Sequence, residues 1–354
     1  MESLVIGEKV AKIPVIQGGM GVGVSLSGLA GAVAAEGGIG IISTAQIGFN
    51  EPDFMNNTKE ANIRAIQKHI KLAKEKAKNG LVGVNVMVAL KDFEEHVRTA
   101  AKAGADIIIS GAGLPMKLPE LVEGTAAKKA PIVSSSRAAN LILKMWKKKY
   151  NTTADLVVIE GPKAGGHLGF SYEEIEADIN NTLSYDDEIV AIKKVIEEYE
   201  EEFGKKIPFV VGGGIFTSED VKHAMELGAS GVQVGTRFVA TKECDASERY
   251  KQAYINATKE DVQIIKSPVG MPGRAVSNDF LRKIKNEKCK VTRCLGCLAK
   301  CNPSEIPYCI TDALIKAVNG DVDNGLIFCG SNVSRIEKIS TVHDVITDLI
   351  KDIL

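Results

Sequence analysis

Aromatic side chains are scarce in this 354-residue chain, with 1 Trp, 7 Tyr and 10 Phe. So few rings leave little material for a surface that stacks on polysaccharide or single-stranded nucleic acid. Excess charge is missing as well, because 44 basic and 45 acidic side chains leave a net charge of −1. That balance gives no electrostatic case for binding nucleic acid or an anionic membrane surface. Apolar runs are broken by glycine or charge well short of the ~18 residues of a membrane span. The first twelve residues carry two acids and two lysines and lack the apolar core of a secretory leader. Seven cysteines is an odd number, and six of them fall between Cys289 and Cys329. This is not the framework of a disulfide-stapled secreted chain, so a cytoplasmic protein with reduced thiols is expected.

What the chain has in quantity is glycine, 34 residues of it, set between two alternating kinds of segment. Short β-branched runs, apolar on both faces, predict buried parallel strands at 13–16, 39–43, 81–86, 106–110, 131–134, 156–160, 209–212 and 231–234. Segments with 3.6-residue apolar spacing predict helices at 25–36, 59–78, 92–103, 136–150, 187–203 and 218–227, with an irregular helical stretch in 115–129. Ser218 reads as an N-cap with acids behind it, and Gly104 and Gly228 as left-handed glycines ending helices. Eight such β-then-α units fit an α/β fold of the (β/α)8 TIM-barrel type better than a doubly wound sheet.

After residue 241 the strand-like runs stop. Helical stretches, Pro/Gly turns and the cysteines follow to about residue 334, and amphipathic spacing returns at Val342, Val345, Ile346, Leu349 and Ile350. The expected organisation is a barrel domain over 1–240, an appended, mainly helical, Cys-rich region over 241–334, and a C-terminal helix within 335–354 that packs back on the barrel.

Active sites of such barrels lie at the C-terminal strand ends, where this chain places its richest glycine loops. Gln17-Gly18-Gly19-Met20 follows the first strand and Glu160-Gly161-Pro162-Lys163-Ala164-Gly165-Gly166-His167-Leu168-Gly169 the sixth. Gly212-Gly213-Gly214-Ile215 follows the seventh, and Gln233-Val234-Gly235-Thr236-Arg237-Phe238 belongs to the eighth. Phosphate sites in this fold commonly use the loops after the last two strands. A dinucleotide turn is the lesser reading of the first loop, since it lacks a G-x-G-x-x-G and the second strand ends at Ser43 with no acid for a ribose. His69, His96, His223 and His343 fall on predicted helices and read as structural. His167 instead follows Ala-Gly-Gly at a loop, where small neighbours admit a ligand to an imidazole suited to proton transfer. Cys294, Cys297, Cys301 and Cys309 form C-x2-C-x3-C-x7-C. Four thiolates suit zinc or an iron–sulfur cluster, but no second C-x2-C accompanies them, and spacing alone assigns no metal.

Taken together, Gln-Gly-Gly-Met, Val-Gly-Val-Asn ending at Asn85, Glu-Gly-Pro-Lys-Ala-Gly-Gly-His-Leu-Gly, Gly-Gly-Gly-Ile and Gln-Val-Gly-Thr-Arg-Phe resemble the nitronate monooxygenase family, formerly 2-nitropropane dioxygenases. Bacterial FMN-dependent enoyl-acyl-carrier-protein reductases share that superfamily. The resemblance runs from about residue 13 to 238, and Ser-Pro-Val-Gly-Met-Pro-Gly-Arg-Ala from residue 267 extends it. It implies non-covalent FMN, with Gly19 and Met20 lining the flavin, Asn85 meeting the rings, and Glu160 and Gly165 bordering the cofactor. Gly213, Gly214, Gly235 and Thr236 would wrap the phosphate, with Gln233 and Val234 leading into that loop. His167 would be the active-site histidine. Many members carry Gln where Glu160 stands, and a carboxylate donates only when protonated.

Three functions compete, the first of them implied by the family resemblance. The first is oxidation of alkyl nitronates with dioxygen. The second is NAD(P)H-dependent reduction of enoyl thioesters or quinones; acidic acyl-carrier protein would then seek a basic patch such as Lys144, Lys147, Lys148 and Lys149, which otherwise reads as a solvated helix end. The third, of another class, is a non-catalytic flavin-binding or phosphate-ligand sensor built on a barrel, against which the intact His167 loop speaks. A small-molecule substrate and a homodimer are the expected partners.

Overall fold

The computed structural model describes residues 2–180, 184–289 and 291–353. The chain opens with a hairpin of β1 (Leu4–Ile6) and β2 (Lys9–Ala11), turned by Gly7 at φ +61°. Then come β3 (Val15–Gln17), β4 (Ile39–Ser43), β5 (Leu81–Met87), β6 (Ile107–Gly111), β7 (Lys128–Val133) and β8 (Val157–Glu160). The two-residue β9 (Gly166–His167) precedes β10 (Phe209–Gly212) and β11 (Gly231–Val234). Strands β3 to β8, β10 and β11 pair in parallel and close into one barrel, β11 returning to β3. The TIM barrel expected from the strand pattern is therefore present. Both strand faces are apolar for separate reasons. Ile16, Ile41, Ile109 and Val158 fill the barrel interior, whereas Ile42, Val84, Ile108 and Val211 meet the surrounding helices. Leu4, Ile6 and Ala11 of the hairpin join the interior cluster and plug the bottom.

The helices are α1 (Ser27–Ala35), α2 (Thr58–Ala77), α3 (Phe93–Lys102), α4 (Leu118–Val122), α5 (Ser136–Tyr150), α6 (Tyr172–Ile179), α7 (Asp186–Phe203) and α8 (Ser218–Glu226). The one-turn α9 (Thr236–Val239) leads to α10 (Glu248–Asn256), α11 (Asp279–Asn286), α12 (Ile310–Val318) and α13 (Val342–Ile350). Gly104 and Gly228 take φ of +87° and +100° just past α3 and α8, as a left-handed terminus requires. The start of α8 differs from expectation. Thr217 caps it, exchanging bonds with Asp220, while the Ser218 hydroxyl turns to Asp352.

The region after Thr241 also corrects the sequence reading, because it does contain strands. β12 (Val262–Lys266) and β13 (Pro272–Val276) form an antiparallel hairpin, and β13 pairs in turn with β9. Pro and Gly at the head of β13 hid it, since both residues count against a strand. The charged clusters at the N-terminal strand ends are structural. Asp106 binds Lys9 and Lys74, and Asp155 binds Lys129 and Lys205, all at the end opposite the glycine loops.

Helix α1 has no cap of its own. Asp245, over two hundred residues away, accepts the N–H groups of Leu26, Gly28 and Leu29 at 2.8, 2.9 and 3.0 Å. The Asp245 carboxylate thus fastens the segment after the barrel to the first barrel helix. Asp245→Ala is expected to cost about 1–2 kcal/mol, the range for a lost N-cap, read as a lower urea midpoint at unchanged slope.

Candidate active site

Register decides where the loops meet. Ser43 pairs with Asn85, Glu160 with Gly212, and Gln17 with Val234, so the strands end level and the following residues share one rim. That rim encloses a cavity of about 240 Å³. All twelve residues singled out in the sequence line it: Gly19, Met20 and Asn85 on one side, Glu160, Gly165 and His167 opposite, and Gly213, Gly214 and 233–236 between them. His69, His96, His223 and His343 do not line it, and all four lie on helices.

Close approach explains particular glycines. A Cβ on Gly19 would stand 2.4 Å from the Asn85 Cβ, and one on Gly165 2.6 Å from the Cys329 carbonyl carbon. Gly213 and Gly214 hold φ of +96° and +91°, a region closed to most side chains. Gly235 does not, since its φ is −114° and a Cβ there would meet only the Met20 Sδ at 3.5 Å. Positive φ is thus required at 213 and 214 and not at 235.

The appended region builds the remaining wall, and sequence reasoning missed its contribution. Tyr250, Tyr254, Leu314, Phe328, Cys329 and Asn332 all reach the cavity. The Asn332 amide donates to the Gly214 carbonyl at 2.7 Å, and the Gly330 N–H to Thr236 Oγ1 at 3.0 Å, so this wall is tied to the two last glycine loops. Arg274, 2% exposed, donates to the carbonyls of Pro162 and Ala164 and clamps the loop before His167. The signal that pointed there was the motif beginning at Ser267, which carries Arg274.

Ser267 supplies a second function. Its Oγ lies 2.7 Å from His167 Nε2, and the imidazole packs edge-on against Phe328 with ring centres 4.9 Å apart. Burial lowers the His167 pKa from 6.5 to about 4, so the ring is neutral at pH 7. Ser267 is 3% exposed, and its oxygen already accepts the Val269 N–H at 3.3 Å. The Ser267–His167 contact engages Nε2 and leaves Nδ1 without a hydrogen-bond partner among the described residues. A neutral ring held at Nε2 by Ser267 can present its Nδ1 as a hydrogen-bond donor to a ligand.

Glu160 answers the question its carboxyl raised. Burial lifts its pKa from 4.5 to about 7, leaving a large protonated fraction at neutral pH that can donate as a glutamine would. The raised value means the folded state holds its proton more tightly than the unfolded chain. Its favourable contribution is complete below pH 4.5 and lost as pH rises through about 7, a swing on the order of 3 kcal/mol. In the flavin-free protein, Glu160→Gln is expected to flatten the fall in stability between pH 5 and 8, measured by urea unfolding across that range. An unchanged slope would show that Glu160 ionises normally.

The sequence profile of nitronate monooxygenases matches residues 3–352. The chain belongs to the nitronate monooxygenase family. A probable nitronate monooxygenase of Staphylococcus saprophyticus is 29% identical over 37% of this chain. A Mycobacterium tuberculosis dehydrogenase of a bicyclic indene carboxyl-CoA is 23% identical over 77% of it. The matched stretches span only 34% and 65% of those relatives' own lengths. FabK from Thermotoga maritima is 25% identical, with a TM-score of 0.73 over 96% of this chain and 93% of its own. A nitroalkane oxidase from Streptomyces ansochromogenes, at 18% identity and TM-score 0.69 over 96% of each chain, shares the fold. Family membership makes the chain an oxidoreductase. No helix among the described residues is long and apolar enough to cross a membrane.

Proposed function

We propose that the chain is an FMN-dependent oxidoreductase that oxidises alkyl nitronates with dioxygen. The observation that carries this reading is the neutral, half-buried imidazole with Nε2 held by Ser267, which suits a substrate that is already an anion and needs no base. The cavity fits the cofactor. Gln233 Oε1 is buried without a partner among the described residues, matching a ring N–H donor, and the open space at Gly235 leaves room for a phosphate. Lys163, exposed beside Gly214, has no ion-pair partner among the described residues and offers a countercharge. Bound there, FMN would supply the redox chemistry between the nitronate and dioxygen.

The protein's own part is positioning. His167 Nδ1–H would hold a nitro oxygen, Ser267 would fix the tautomer, and protonated Glu160 would donate to the cofactor. Phe328 and the tyrosines 250 and 254 would keep water from the reacting carbon. The seven cysteines, all unpaired, support a reducing cytoplasmic location.

The full-length likeness to FabK favours one second reading, reduction of an enoyl thioester or quinone by NAD(P)H, in which the same donor would polarise a carbonyl. Anaerobic stopped-flow mixing of yellow protein with a nitronate, NADH and NADPH in turn separates the two. Bleaching by the nitronate alone is the expected result. Bleaching only by a nicotinamide, with reoxidation by an enoyl thioester, would replace the first reading with the second.

A further inference from the structure

The strand order of the barrel divides the cavity into two chemically different halves. Around the ring the strands run β10, β11, β3, β4, β5, β6, β7, β8, so the glycine loops after β10 and β11 face the ends of β5 and β6 across the mouth. On the loop side stand the backbone groups of 213–214 and 235–236, with Lys163 beside Gly214. On the far side the wall is Met87 at the end of β5, Ala112 just after β6 and Ile132 in β7. The appended region completes that wall. Leu314 of α12 and Phe328 pack on one apolar cluster with Leu298, which bridges to Leu90 just beyond β5, while Phe328 meets the His167 ring.

This far wall offers hydrocarbon and no countercharge among the described residues. Lys163 is the one lysine or arginine of the lining, and it stands at the glycine loops. Arg274 comes close to the His167 loop, but its guanidinium is committed to the carbonyls of Pro162 and Ala164. The charged neighbours of Leu314 on α12, Asp312 and Lys316, pair with each other at 2.8 Å where the helix is exposed. An ionised group carried to this wall would lose its water and find no partner. A methylene chain gains from the same transfer.

We propose that the half of the cavity beside Leu314 is a subsite for an uncharged hydrocarbon tail, with Leu314 the residue that excludes substrates ending in a carboxylate. The inference rests on the reading above, in which the cofactor phosphate takes the loops of β10 and β11 and the reacting head lies at His167. It goes beyond that reading by naming the tail.

The test uses the flavin-bound protein and unreactive mimics of the nitronate head. A carboxylate has a similar planar pair of oxygens and the same charge. Butanoate and hexanoate then present tails of two lengths, and hexanedioate adds a charge at the far end. Dissociation constants come from the perturbation of the flavin absorbance spectrum, with no turnover. Affinity is expected to rise roughly fourfold for each added methylene, the equivalent of about 0.8 kcal/mol. Hexanedioate is expected to bind on the order of a hundredfold more weakly than hexanoate. Leu314→Arg should shrink that gap to about tenfold or less, because the long side chain can carry its guanidinium to the tail while its stem stays packed. Hexanedioate binding as tightly as hexanoate, or no gain with chain length, would overturn the proposal, and so would an unchanged gap in Leu314→Arg. If that variant fails to fold by circular dichroism, Leu314→Ala replaces it. The shorter side chain should weaken hexanoate roughly fivefold and leave butanoate within about twofold, and equal losses on both acids would overturn the role of Leu314. A protein that binds these acids in the expected order yet is not bleached by a nitronate would lose the nitronate reading and keep the subsite.

Discussion

Replacing His167 with alanine is expected to lower kcat/KM on a nitronate about 10²–10³-fold, the cost of one lost donor to developing or fixed negative charge in a dry site. Flavin content should not change, because the imidazole contacts Ser267 and Phe328 and makes no hydrogen bond to the loops at 213–214 and 235–236. The pH profile separates a donor from a base. With its pKa lowered to about 4, His167 stays neutral from pH 6 to 8, so kcat/KM should be flat there for a pre-formed nitronate. A general base would give a limb near neutrality that vanishes in the variant. Ser267→Ala should fall between wild type and His167→Ala, because it frees Nε2 and loses the tautomer while keeping the ring. A limb with pKa near 6.5, or full activity without His167, would remove the donor role. Stability provides an independent reading. A lowered histidine pKa costs the folded state as pH falls from about 6.5 towards 4, and His167→Ala should lose that part of the acid sensitivity.

The barrel is legible in the sequence because its strands are buried on both faces and bounded by glycine. Every residue of β4, β6 and β10 is buried, and short apolar runs in series with amphipathic helices are what a parallel sheet covered by helices produces. Two strand ends depart from the apolar pattern for a physical reason. The pattern starts β7 at 131, but the strand begins at Lys128, because Lys128 and Lys129 spend their charges on Glu8 and Asp155 at the barrel floor. The pattern starts β3 at 13, but the strand begins at Val15, since Pro14 has no N–H to give the ladder. The opening hairpin escapes sequence reading because three-residue strands carry almost no periodic signal.

The site divides the same way. Residues on strand-end loops can be found from glycine density, since a barrel brings all such loops together. The wall from the appended region cannot, because nothing in the sequence says that β13 will pair with β9 and set Phe328 against His167. Long-range antiparallel pairing of short, Pro- and Gly-containing strands leaves no local trace. Electrostatic state is equally hidden. Glu160 and His167 both carry pKa values moved by burial, and burial belongs to the assembled cavity rather than to either loop.

Gly235→Val should strip the flavin and leave the fold intact, and the geometry makes this a cleaner test than any neighbouring glycine offers. At Gly213 a side chain meets the Gly161 carbonyl at 2.8 Å in a positive-φ backbone, so a substitution there damages the protein whether or not a ligand binds. At Gly235 the backbone is ordinary, and the protein leaves the Cβ direction open except for the flexible Met20 thioether. A valine fits the flavin-free chain and competes only for cavity space beside the N–H groups of 235 and 236, which start a helical turn and precede any intrahelical acceptor. Holoprotein stability should drop, because the bound cofactor stabilises only the folded state. The comparison is therefore with flavin-free wild type, whose urea midpoint the variant should match within the ±0.5 kcal/mol typical of tolerated substitutions. Flavin absorbance per chain and far-ultraviolet circular dichroism together decide it. A variant that keeps full flavin would place the phosphate elsewhere on the rim, whereas lost ellipticity would mean that Gly235 serves packing alone.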